Sequence, residues 1–299
     1  MHMKTACVCV VKNAELRIAE WIAYQFAVGF DSVVLLDNNS TDRTKDIARH
    51  FQAKYDVRII DWPSTKKNYQ VCGYKYALKK YQHEFDWCAF FDDDEFLTLP
   101  PKKTLEQLVD LPLLVSGIAV PWAMFGSNGH IARPNDLVIK SYMYRKNDHD
   151  RHIKSIVRPK FLTKPHSPHY FKSREGFLIR FFSFIKIKPN IYVDMQHKII
   201  RKSQPVMEVA LGFDGGQLNH YYLRSRQDWD EKIARGYHDI KRDPNEFSFY
   251  DRNEVYDDSA LRYLPKVEEI LSGIDFNMPL QPLQPPSVWQ RLSVWWASL

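Results

Sequence analysis

Thr5–Val11 is an unbroken apolar run rich in Val, the pattern of a strand buried on both faces. Glu15–Val28 then spaces Ile18, Ile22 and Phe26 four residues apart and meets Gly29, which predicts an amphipathic helix with a stop. Ser32–Leu36 is a second β-branched run, ending at Asp37. Asn38, Asn39 and Ser40 are turn formers, and Ser40 or Thr41 can cap a helix reaching about Phe51. Val57–Ile60 reads as a third strand and Tyr69–Tyr81 as a third helix. Trp87–Phe91 reads as a fourth strand that runs directly into Asp92, Asp93, Asp94 and Glu95. This alternation predicts an α/β fold with a mainly parallel sheet and helices on both faces. Ligands of such sheets bind beyond the carboxyl ends of the strands. Lys12, Asn13, Asp37 and the acidic run therefore share one rim.

Past Pro100 and Pro101 the pattern loosens. Ile118–Trp122 predicts a strand, Met124–His130 a loop with two glycines, and Leu137–Tyr144 another strand. Pro159–Asn190 is rich in Pro, His and Phe without clear period and reads as a loop lobe; Gln227–Gly236 reads as a helix. The tail Ser287–Leu299 sets Trp289, Leu292, Trp295 and Trp296 at helical spacing, suited to packing on a core or resting on a membrane interface. The expected organisation is a nucleotide-binding half over 4–122, an acceptor-side half over 123–236 and a helical extension over 237–299.

Composition narrows the class. Of 299 residues 44% are hydrophobic and 26% charged, which excludes a disordered or fibrous chain. No apolar stretch reaches the ~18 residues of a membrane span, and the N-terminus lacks the layout of a secretory signal, so a cytoplasmic protein is expected. Cys7, Cys9, Cys72 and Cys88 lie in apolar segments without metal-binding spacing and read as small buried hydrophobes. The net charge is +6, yet Lys140–Ser203 holds 16 Lys and Arg against four acids. A basic middle between acidic ends suits a partner that carries phosphate.

The acidic run is the sharpest chemical signal. Carboxylates wedged between apolar segments are costly unless something positive sits beside them. Alternate residues of an extended segment share a side, so Asp92 and Asp94 are expected to converge with Asp93 turned away. Two such carboxylates suit Mg2+ or Mn2+. A phosphatase of the haloacid-dehalogenase type would carry its Asp-x-Asp after the first strand, not the fourth, and is discounted.

Three segments, Val10–Glu15, Glu20–Tyr24 and Asp37–Asp42, resemble the nucleotide-sugar half of family-2-type GT-A glycosyltransferases. Phe90–Leu97, Met124–His130, Lys154–Pro159 and Leu218–Tyr222 are similar to family-92 glycosyltransferases, the DUF23 group, and their bacterial relatives. The ordered blocks extend over roughly residues 4–236 and exclude the last sixty. The resemblance implies a GT-A fold, a nucleoside-diphosphate-sugar donor, most simply a UDP-sugar, and a divalent metal. By the same likeness Lys12, Asn13, Asp37 and Gln70 contact the nucleotide, with Asp37 accepting from uracil. Asp92 and Asp94 are then the DxD positions, and His220 is either a third metal ligand or a structural histidine.

Inverting transfer of a hexose needs a base for the acceptor hydroxyl. His130 is the first candidate, with Asp136 and His169 behind it; the pattern leaves base and stereochemistry open. Trp122 and Phe125 offer faces for a sugar ring, while Lys154 and Arg158 are candidates to reach the pyrophosphate. The expected function is transfer to a glycan or lipid-linked glycan in surface polysaccharide synthesis, with peripheral membrane contact through the tail. The competing reading is an inactive nucleotide- or carbohydrate-binding module on the same scaffold. Nucleic-acid binding is disfavoured because the acidic run would repel phosphodiesters.

Overall fold

A computed structural model describes residues 2–148, 150–173, 179–182, 185–187, 191–200, 211–236 and 243–280. Its centre is one nine-stranded sheet. The strands are β1 (Thr5–Val11), β2 (Ser32–Asp37), β3 (Asp56–Asp61), β4 (Trp87–Phe90), β5 (Glu95–Thr98), β6 (Val115–Met124), β7 (Ile153–Val157), β8 (Ile191–Val193) and β9 (Gln217–His220). They run in the order β3-β2-β1-β4-β7-β6-β9-β5, and β8 adds to β6. β1, β2, β3 and β4 pair in parallel, as do β6 with β8 and β9. β7 is antiparallel to both β4 and β6, and β5 is antiparallel to β9. The mixed, mainly parallel sheet is thus the fold class read from the sequence.

Strand alternation explains why β1 is apolar throughout. Cys7, Cys9 and Val11 enter the core on one face, and Ala6, Val8 and Val10 enter the core on the other. The helices α1 (Ile18–Val28) and α2 (Thr44–Phe51) cover the first face, and α3 (Tyr69–Tyr81) covers the second. Gly73 lets α3 settle close to the sheet, since a Cβ there would lie 2.9 Å from Val10. Cys7, Cys9 and Cys88 are buried free thiols, as expected of small core residues.

The halves expected on either side of residue 122 share this sheet. Their boundary falls inside β6, and β9 is inserted between β6 and β5. Of the remaining helices α4 (Leu105–Val109) and α5 (Val138–Ser141) are short and α6 (Arg226–Arg235) lies on the rim; residues 243–280 join the same body through α7 (Leu264–Ser272), which packs on α1. Between α6 and α7, Asp251 accepts from the Ser127 amide at 2.6 Å and Asn253 from the Asn128 amide at 2.9 Å, fixing the glycine-containing loop. The tail from Ser287 lies outside the described residues. No described helix is long and apolar enough to cross a membrane.

Two local expectations change. Leu137–Tyr144 forms α5 and a short strand, Tyr144–Arg145, instead of one strand. The reason is a remote carboxylate: buried Glu20 accepts from the Val138 and Ile139 amides at 2.8 and 3.0 Å, satisfying the first turn of a helix. The loop lobe contains the hairpin strands Leu162–Pro165 and Phe171–Ser173.

α1 is tied to β5 by side chains. The Trp21 indole N–H donates to the Glu95 carbonyl at 3.0 Å, and the Tyr24 hydroxyl to the Leu97 carbonyl at 3.1 Å, all buried. Trp21→Phe strands a buried carbonyl and should lower unfolding free energy by about 1–3 kcal/mol. Urea titration measures this, and an unchanged midpoint would show that the bond contributes nothing.

Candidate functional site

The carboxyl ends of β1, β2, β4, β6 and β9 lie on one rim, where the chain turns at Asp92–Asp94 before entering β5. The Glu95 amide closes that turn by donating to the Asp92 carbonyl at 3.1 Å. Each carboxylate meets its own cation. Asp92 lies 2.8 Å from the Lys154 ammonium and accepts from Gln70 and from the Tyr74 hydroxyl. Asp93 pairs with Arg17. Asp94 faces His220 Nε2 at 3.4 Å and Lys232 Nζ at 3.7 Å.

Beneath them Glu95, wholly buried, accepts from the Asp92 amide at 2.8 Å and stands 3.4 Å from Lys154. Burial pushes the Glu95 carboxyl well up, and Asp92 and Asp94 add to that. Burial also opposes the charge on Lys154, but Asp92 and Glu95 outweigh it and hold the ammonium above its ordinary value. At Asp94 burial is overcome by His220, Lys232 and Arg224, so this carboxylate stays ionised far below the usual range. Lys232 is lowered to about 8, by burial first, with Asp94 opposing and Arg224 and Arg17 adding to the fall.

Asp92 and Asp94 do not converge as the extended pattern suggested. Asp92 points to β7 and α3, where its oxygens are taken up by Lys154, Gln70 and Tyr74. Among the described residues no three His, Cys, Asp or Glu side chains gather as a metal set. Asp94 and His220 fit as a pair: their facing atoms approach the roughly 3 Å edge of an octahedron with 2.0–2.1 Å bonds. His220 is 5% exposed, and its Nδ1 has no hydrogen-bond partner among the described residues.

The other expected residues divide. Asp37 is 2% exposed; one oxygen accepts from the Ser40 amide at 3.1 Å, with the Lys45 ammonium 3.8 Å away, and the other has no hydrogen-bond partner among the described residues. Its neighbour Asn38, not anticipated from the sequence, accepts from the Ser64 amide through Oδ1 and keeps a buried Nδ2 with no partner among the described residues. Asn13 adopts φ 51° and accepts from the Thr41 amide, locking the loop after β1 onto the turn after β2. Lys12 is exposed on that loop, and Gln70 is spent on Asp92.

Lys154 and Arg158 do not stand where a pyrophosphate could meet them. Lys154 is wholly buried under Asp92. Arg158 follows β7 to the opposite end of the sheet, stacks on Trp87 and donates to the Val115 and Leu111 carbonyls. An antiparallel β7 sends the two residues to opposite rims. Trp122 is covered by the rings of His152 and His220, at 5.2 and 4.3 Å, and Phe125 is buried, so neither presents a free face to a sugar.

Beside Asp94 lies a cavity of about 280 Å³, bounded by the loop before α1, residues 133–142, and α6. Arg17, Glu20, Arg224 and Lys232 line it, none of them singled out as functional from the sequence. Asp136 lines it too, with its carboxyl lowered by the Leu137 amide and by Lys140. His130 is not on its wall: its Nε2 is 3.0 Å from the Ser141 carbonyl and its ring packs on Tyr142. His169 is lowered to about 4, by burial and then by Lys154. Glu20 is raised to about 7 by burial, against the two amides it accepts from.

Residues 2–241 match the sequence description of glycosyltransferase family 92. The chain belongs to this family. A family-92 protein of Oryza sativa subsp. japonica is 29% identical over 177 residues, 57% of this chain and 30% of the relative. One from Ricinus communis is 31% identical over 186 residues, 57% and 32% of the two chains. The chain therefore spans about a third of the length of the curated relatives it matches. Among solved structures, S. aureus TarS 1-349 in complex with UDP is similar at 19% identity and TM-score 0.36, over 53% of this chain and 48% of that one. Glucosyl-3-phosphoglycerate synthase of Mycobacterium tuberculosis is similar at 16% identity and TM-score 0.28, over 40% and 44%.

In this family-92 chain Lys154 is the group that makes the acidic turn tolerable. Lys154→Met should cost about 3–5 kcal/mol, because it takes the cation from wholly buried Glu95 and half-buried Asp92. Adding Glu95→Gln should recover part of the loss in chemical denaturation. A single variant as stable as the parent would mean that the pair is not what holds the turn.

Proposed function

We propose that this chain transfers a hexose from a UDP-sugar to a hydroxyl of a glycan or lipid-linked glycan, with inversion and with a divalent metal. Family membership supports a glycosyltransferase. The observation that carries the finer reading is the rim itself. It places an ionised Asp94 beside His220, on the same edge as the buried, unpartnered polar atoms of Asp37 and Asn38.

The nucleobase belongs at Asp37 and Asn38. A buried carboxylate oxygen without a donor and a buried amide N–H without an acceptor are costly when left unpaired. Uracil supplies both, an N3–H and an adjacent carbonyl. Lys12, exposed on the neighbouring loop, is placed to meet a phosphate, and Asn13 holds that loop in shape. Gln70 and Lys154 act behind the site, by fixing Asp92.

Asp94 and His220 would hold Mn2+ or Mg2+, which supplies a positive centre against the charge that appears on the departing diphosphate. Lys232, close to Asp94, adds a second positive group from the chain itself. The base must stand on the cavity side. Asp136 is held low and is a weak base, whereas a carboxyl near 7 is well matched to neutral pH. Glu20 is therefore the assigned base, with Asp136 second.

Donor turnover with a panel of nucleotide sugars, with and without Mn2+, tests this reading. UDP-sugars should be hydrolysed or transferred only with metal, and Asp94→Asn should lose about a hundredfold or more. Turnover that ignores both chelator and Asp94→Asn would refute it. A base is active only when deprotonated, so the rate should rise with pH through about 7. In Glu20→Gln that inflection should vanish. An unchanged profile would pass the role to Asp136, checked by Asp136→Asn.

A further inference from the structure

The cavity beside Asp94 has a wall chemistry that sugar transfer alone does not require. Arg224 is 8% exposed, its φ is 58°, and its Nε has no hydrogen-bond partner among the described residues; Asp228 is 3.6 Å away. The Nε of Arg17, on the same wall, is likewise buried without a partner. Burial and the nearby Arg17 depress the Arg224 guanidinium from its ordinary value, against Asp228, Asp94 and Asp93, so two cations stand close together on a buried part of the wall.

The acids on the wall do not answer this. Asp228 is spent on Ser225 and Arg133, and Glu231 on Arg133 and Gln227. Glu20 faces two amides, Asp136 faces Leu137 and Lys140, Glu15 accepts from the Arg43 amide, and Asp42 accepts from the Glu15 amide and the Thr44 hydroxyl. Arg17 has Asp93, whereas Arg224 has no oxyanion within hydrogen-bond distance of its Nε among the described residues. The cavity's volume of about 280 Å³ lies at the small end of ligand sites, where pockets run from about 300 Å³ upward, so it suits one sugar unit.

We infer that this cavity is an acceptor subsite for a negatively charged sugar, and that Arg224 grips its carboxylate or phosphate. The inference rests on the transfer reading only in calling the bound sugar an acceptor. A guanidinium offers a planar fork to either oxyanion, and in a buried site such a bond is stronger than one between neutral groups. Asp94 is 3.7 Å from Lys232, which also lines the cavity, so a sugar held here adjoins the acidic turn. Arg133 has an indirect part. Its pairing with Asp228 and Glu231 keeps two carboxylates on the wall from repelling the ligand.

The test is calorimetric binding of glucuronate, glucose 6-phosphate and glucose to the full chain, saturated with UDP and Mn2+. At least one charged sugar should bind about tenfold or more tightly than glucose. Arg224→Gln should erase the difference while Arg224→Lys keeps part of it. Should Arg224→Gln fail to fold, Arg133→Gln serves instead: it should weaken charged probes about threefold or more and leave glucose unchanged. Equal binding of glucose and both charged sugars would overturn the inference. So would a charged probe that binds only when UDP is absent, since the cavity would then be the donor's diphosphate site. Selective binding without any donor turnover would leave the inference standing and remove the transfer reading.

Discussion

Three aspartates in a row, with a glutamate behind them, close a strand buried on both faces, and their mutual repulsion shapes everything around them. Two like charges 4 Å apart repel by about 4 kcal/mol at an effective dielectric of 20. Water cannot relieve this at Glu95, which is wholly buried. The fold answers with groups drawn from separate elements: the cations Lys154 from β7, Arg17 from the loop before α1 and Lys232 from α6, and the His220 imidazole from the end of β9. The segments that supply them are far apart in sequence. One electrostatic demand therefore brings the first hundred residues and residues 153–232 into register around a single turn.

The resulting site has two sides. Toward α3 the acidic turn is closed: Asp92, Lys154, Gln70 and Tyr74 satisfy one another. Toward α6 it is open: Asp94 and His220 keep coordination to spare, and the adjoining cavity holds cations without full partners. This asymmetry comes from the antiparallel β7, which delivers one lysine under the turn and carries Arg158 away to the opposite rim.

The parallel strands and the acidic rim were legible in the sequence because both follow from local patterns. Short, β-branched apolar runs bounded by polar turns fit buried strands by length and composition, and Tyr69–Tyr81 proved to be a helix with those bounds. Long-range pairing was not legible. Nothing near Lys154 announces that it sits beneath Asp92, and nothing near Leu137 shows that Glu20 will nucleate a helix there. Nothing local marks Arg17, Arg224 and Lys232, because their burial depends on elements about two hundred residues apart. The Ser225–Asp228 capping box was the one local hint that the chain is fixed beside Arg224.

If Asp94 and His220 form the reactive edge of this turn, with Asp92 behind it, anomalous diffraction from crystals soaked with UDP and Mn2+ will show it. One strong peak should be shared by Asp94 and His220, with the uracil ring against Asp37 and Asn38 and Asp92 still on Lys154. A peak held by Asp92 in place of Lys154, or a nucleotide bound on another surface, would contradict it.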